Sequence, residues 1–129
     1  MAGETDLGRM LATLDVTRRD GTFAFVVSDE PELVARAQAT VEEAEGRTLV
    51  VPVADAISAG HEPDFEAAWL TLTLWSSLSA VGLTAAFSRA LADADIPCNV
   101  IAGYHHDHLL VPVDRADDAV AALRGLSSR

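Results

Sequence analysis

The sequence predicts an α+β fold, a mostly antiparallel sheet with helices on one face, and three observations carry that reading. Residues 69–75, Trp-Leu-Thr-Leu-Thr-Leu-Trp, alternate with the period of two that belongs to a strand. Residues 80–94 and 114–123 instead set apolar side chains at helical spacing, with Leu83, Phe87, Ala90, Leu91 and Ala94 on one stripe and Ala116, Ala119, Val120 and Leu123 on the other. The second half then runs strand, helix, strand, strand, helix, an order that packs its helices against one side of an antiparallel sheet. A chain of 129 residues that is 50% hydrophobic can bury such a core without disulfides or metal.

Taken in order, Leu7, Met10, Leu11 and Leu14 predict a short amphipathic helix over residues 6–14 with Thr5 as its N-cap. A turn is expected at Asp20-Gly21, and Thr22 to Val27, rich in aromatic and β-branched residues, reads as a buried strand. Ser28 or Asp29 can cap a helix with Pro31 in its first turn, whose face would be Leu33, Ala37, Val41 and Ala44 and whose stop would be Gly46. Residues 47–53 read as a strand, 54–59 as a short helix, and Gly60-His61-Glu62-Pro63 as a connector. That connector divides the chain into residues 1–62 and 63–129. In the strand over 69–75, Leu70, Leu72 and Leu74 form the core face, and the opposite face, with Trp69 and Trp75, needs a cover to keep two indoles from water. A Ser-rich loop, Ser76-Ser77-Leu78-Ser79, leads to the helix over 80–94. Two hairpin strands over 96–102 and 108–113 follow, then a helix begun by the capping pattern Asp114 to Asp117.

Twenty acidic residues stand against nine basic ones, a net charge of −11, and every basic residue is arginine. The absence of lysine removes Schiff-base chemistry, a P-loop lysine and a lysine general base. An acidic, lysine-free domain is also a poor ligand for nucleic acid or an anionic membrane, since affinity for phosphates comes from Lys and Arg. No run of eighteen apolar residues occurs, and the first fourteen residues lack the basic start and apolar block of a secretory signal. The single Cys98 has no internal disulfide partner, which fits a reduced cytoplasmic setting.

Residues 79–101, with Gly82, the apolar helix of Leu83 to Leu91 and the strand Ile96-Pro97-Cys98-Asn99-Val100-Ile101, resemble the first helix and second strand of an ACT domain. The hairpin of residues 102–113 and the strand of residues 45–51 resemble a bacterial branch of stand-alone ACT-like proteins. The resemblance implies ferredoxin-like βαββα(β) units in two interleaved ACT-like halves, the first contributing strands and the second being the ACT domain proper. It also implies a non-catalytic regulatory protein, a homodimer, that binds an amino acid or a related small effector and needs no cofactor. Its ligand-binding residues would be Ser76, Ser77, Ser79, Val81, Gly82, Leu83, Asn99 and Ile101. The chemistry is suitable: hydroxyls, a glycine for close backbone approach and a helix N-terminus with free N–H groups all suit a carboxylate. The bland alternative is that the serines cap a helix and Asn99 ends a strand. One departure stands out, for the last helix leaves no room for the final strand of a βαββαβ unit. Residues 23–27, residues 47–53 or a partner subunit must fill that edge. Pro31 stands where a Gly-containing loop is typical, so no second site of this kind is expected in the first half.

His105, His106, Asp107 and His108 are metal-ligand types, and a metal-dependent enzyme is one alternative function. Strand parity puts only His106 and His108 on one face, so the favoured reading is a hairpin turn stabilised by hydrogen bonds, with no metal site and no catalytic residue. A purely structural interaction module is the other alternative. Cys98 reads as a buried strand thiol, His61 as solvated, and the acidic runs Glu42-Glu43-Glu45 and Asp117-Asp118 as solvated helix faces.

Overall fold

The computed structural model describes residues 6–74 and 81–128, so Thr5, Trp75, Ser76, Ser77 and Ser79 lie outside the described residues. The chain forms helices α1 (Leu7–Ala12), α2 (Pro31–Val34), α3 (Val53–Ser58), α4 (Leu83–Asp93) and α5 (Ala116–Arg124). Its strands are β1 (Asp15–Val27), β2 (Ala39–Glu43), β3 (Gly46–Pro52), β4 (Ala67–Thr73), β5 (Asn99–Ala102) and β6 (Asp107–Pro112). Contacts gather the residues into two compact units, one of Asp20–Ala68 and one of Met1–Arg19 together with Trp69–Arg129.

In the Asp20–Ala68 unit the strand order is β2-β3-β1. β3 pairs antiparallel with both neighbours, Val51 opposite Ala24 and Thr48 opposite Val41. One side of these strands, Ala24, Val26, Leu49 and Val51, packs with Leu33 of α2 and with Val53 and Ala56 of α3 into a buried cluster. The other side carries Phe25, Val27 and Val41, all exposed. The helix expected over residues 31–45 is only one turn long. Thr40 and Val41 are β-branched and a ladder to β3 is available to them, so residues 39–43 extend as a strand and Gly46 opens β3 rather than ending a helix. Glu42 and Glu43 are therefore strand residues, bonded across the hairpin to Arg47 and Thr48.

In the other unit the order is β1-β4-β6-β5. β1 borders β4, and it is the start of β1, up to Arg19, that belongs to this unit, whereas residues 23–27 pair with β3 in the other. β1 begins at Asp15, and the turn expected at Asp20-Gly21 is strand. Leu70 and Leu72 of β4 are fully buried, as the leucine face should be. Arg18 lies 3.9 Å from Asp117 of α5, and Arg124 of α5 donates to the Val16 carbonyl at 3.1 Å, so α5 covers this side of β1. Helix α4 turns Leu83, Phe87 and Leu91 inward, and α5 adds Ala116, Ala119 and Leu123. Arg115 joins the two helices by donating to the Ala94 carbonyl at 3.0 Å, where a cation also meets the negative end of the α4 dipole. Two caps differ from expectation. Asp6 accepts from the Arg9 backbone N–H and caps α1, and Asp114 sits in a 3-10 turn while Arg115 occupies the N-cap of α5.

Candidate functional site

The residues singled out from the sequence fall at two places. Val81, Gly82 and Leu83 form the entry to α4, whose N-cap is Gly82 at φ 95°, with no side chain among the described residues capping the first turn. A left-handed N-cap is open to glycine at no steric cost, and a Cβ there would stand 3.3 Å from Leu7 Cδ2. The Gly82 carbonyl accepts from the Ala86 N–H at 2.9 Å, so the helix is closed from its first turn. Among the described residues no side chain caps its leading N–H groups, which can receive an anion. Val81 is 83% exposed, whereas the Leu83 side chain is buried in the core. Leu83 therefore offers this site its backbone alone.

Asn99 and Ile101 lie on β5, opposite Leu110 and His108 of β6. They share the sheet face turned away from the helices. On that face sits a cluster that sequence reasoning did not assemble. Trp69, only 2% exposed, donates its indole N–H to His108 Nδ1 at 3.1 Å, and the Thr71 hydroxyl lies 3.0 Å from the same nitrogen. The Arg19 guanidinium stands 4.1 Å from the centroid of the indole ring, on the cation–π side of it. An indole N–H can only donate, so Nδ1 must be the bare nitrogen of the imidazole and the proton rests on Nε2. Burial, Arg19 and His106 hold His108 below the ordinary histidine range, with Asp107 opposing them. Burial raises Asp107 above the usual carboxylate range, and His108 pulls it back. Arg19 thus lies over the indole face while His108 meets its N–H edge. The period-two pattern signals Trp69 and Thr71, and His108 was in view, but Arg19 joins them only because β1 extends back through residues 15–21.

The imidazoles make a ladder rather than a ligand set. Ring centroids step 5.0 Å from Tyr104 to His105, 6.2 Å to His106, 6.5 Å to His108 and 5.4 Å to Trp69. Among the described residues no three His, Cys, Asp or Glu converge in a way that could hold a metal ion. The hairpin tip is closed by backbone, the Gly103 N–H donating to the His106 carbonyl at 2.9 Å, and a Cβ at Gly103 would collide with that oxygen. Cys98 precedes β5, half-buried, and burial pushes its thiol up to about 11, which leaves almost no thiolate at neutral pH.

Two stretches of the chain match models of the ACT domain, residues 2–68 and residues 64–125, the first of them more than half of the chain. The chain belongs to the ACT domain family. A Vibrio cholerae protein of unknown function, described as a possible transport protein, is 36% identical; the match covers 94% of this chain and 95% of that one, with a TM-score of 0.85. The ligand-free regulatory subunit of aspartate kinase from Thermus thermophilus shares the fold at 14% identity, covering 89% of this ACT chain and 97% of the subunit, TM-score 0.64. A structure of aspartokinase alpha and beta subunits does so at 11% identity, covering 91% and 99%, TM-score 0.62. No curated protein matches the chain. Each unit is accordingly a sheet with helices against it, the ferredoxin-like arrangement of a regulatory ACT module, and no helix among the described residues is long and apolar enough to cross a membrane.

Proposed function

We propose that this ACT protein is a non-catalytic, cytoplasmic sensor that binds an amino acid or a related small carboxylate at the entry to α4. In this reading it acts as a homodimer and hands its occupancy to a separate protein through a change at an interface. The observation that carries the reading is the first turn of α4 behind Gly82 at φ 95°, which no described side chain caps and where backbone N–H groups and the helix dipole would meet an anion. With no lysine in the chain, those N–H groups and the hydroxyls of Ser76, Ser77 and Ser79 would supply most of the binding. Such a site favours weak, reversible association.

A thermal-shift screen across the amino acids tests it. A ligand at a hundred times its dissociation constant adds about 2.7 kcal/mol to stability. Gly82→Val forces a branched side chain into a left-handed conformation and against Leu7, so it should abolish the shift while circular dichroism remains that of the folded protein. Flat melting curves across the whole set, or a shift that survives Gly82→Val, would overturn the assignment.

A further inference from the structure

A groove of about 390 Å³ lies wholly within the Asp20–Ala68 unit and shares no residue with the entry to α4. Its apolar wall is the side of β1 that faces away from α2 and α3. There Phe25 is 38% and Val27 57% exposed, and the Phe65 ring approaches Phe25 at 6.4 Å with a 34° tilt. Its polar rim is His61, Glu62 and Asp64. The His61 backbone N–H donates to the Ala56 carbonyl at 3.0 Å, which ties the backbone at the start of that rim to the end of α3.

The chemistry of the lining is one-sided. Two carboxylates and two phenyl rings face the space, no arginine lines it, and neither Glu62 nor Asp64 has an ion-pair partner among the described residues. An anion would meet both carboxylates, and a wholly apolar guest would leave them without a partner beside it. A cation on an apolar stem satisfies both halves: its head is drawn to Glu62 and Asp64, its stem lies on the rings, and phenyl faces attract the charge as well. The volume falls in the range of small-molecule sites. A net charge of −11 further raises the local concentration of cations.

We propose that this groove is a second ligand site, specific for an organic cation, an ammonium or guanidinium group carried on an apolar stem. It stands independently of any effector at α4. The test is an amide chemical-shift titration of the full chain with phenethylammonium as the probe, against 2-phenylethanol as the uncharged isostere and 3-phenylpropionate as the anion. The expected result is saturable shifts centred on residues 25–27 and 61–65, with the ammonium binding at least tenfold tighter than the alcohol and the anion not at all. Glu62→Gln combined with Asp64→Asn should lose that tenfold preference, and Phe65→Ala should weaken ammonium and alcohol alike. Raising the salt on the unaltered protein should weaken the ammonium selectively, a readout that needs no variant. Gly82→Val should bind the probe unchanged, which separates this site from the one at α4. No saturable shift at millimolar probe, equal affinity for the alcohol, salt-insensitive binding, or shifts centred elsewhere would each overturn the proposal.

Discussion

Replacing His108 by phenylalanine keeps a ring of similar size beside Trp69 but removes the nitrogen that accepts from both Trp69 Nε1 and Thr71 Oγ1. A net hydrogen bond contributes about 1 kcal/mol, and a buried donor deprived of its acceptor costs about 1–3 kcal/mol. The indole is almost wholly buried and Thr71 is half-buried, so a loss of about 2 kcal/mol is expected at pH 7.5, lowering the melting temperature by roughly 6–10 °C. Acid should then reveal the mechanism. Because the folded pKa of His108 lies below 6.5, the unfolded chain takes up a proton first as the pH falls. The stability contributed by the neutral imidazole is complete above pH 6.5 and is lost as the pH drops toward the lower folded pKa. His108→Phe lacks that loss, so the gap between the two proteins should narrow from pH 7.5 to pH 5.5. Scanning calorimetry at both values measures it, and pairing His108→Phe with Thr71→Val in a double-mutant cycle should show coupling of about 0.5–1.5 kcal/mol. An unchanged melting temperature for His108→Phe, a gap that widens in acid, or strictly additive variants would refute the reasoning.

Two further outcomes are expected. With its thiol at about 11, Cys98 carries about a hundredfold less thiolate at pH 8 than a cysteine at 9.0, so alkylation by iodoacetamide should be slow and should speed up about tenfold per pH unit to pH 10; rapid labelling at pH 7 would contradict the burial. Phe87→Ala opens a cavity on the inner face of α4 and should cost about 3–5 kcal/mol in urea unfolding, and a cost below 1 kcal/mol would mean that α4 does not close this core.

The elements with the strongest periodicity were legible in the sequence. Leu70 and Leu72 on one face of a strand, the Leu83, Phe87 and Leu91 stripe, and the hairpin after Asn99 all stand where their spacing puts them, because each pattern records which side is dry. Residues 39–43 did not reveal themselves. Val41 sits at helical spacing from Ala37 by coincidence, and its strand exists because β3 supplies a hydrogen-bonding edge that no local window contains. The same holds for residues 15–21. Their charged, glycine-containing run reads as a turn, yet it pairs within a sheet, and with it Arg19 arrives over Trp69. Of the candidate site, the entry to α4 was readable from Gly82 and the apolar helix behind it. The Trp69–His108 contact joins residues 39 apart, a separation that no motif spans.

The thirteen residues of β1 start in one compact unit and finish in the other, while the family match divides the same chain near residue 66. A gene cut at that point would separate residues 1–19 from the unit that they complete, leaving the downstream fragment without α1 and without the strand that borders β4. Co-expressed halves would therefore recover a native fold only by finding each other, so the boundary near residue 66 suits a complementation reporter and does not separate independent modules.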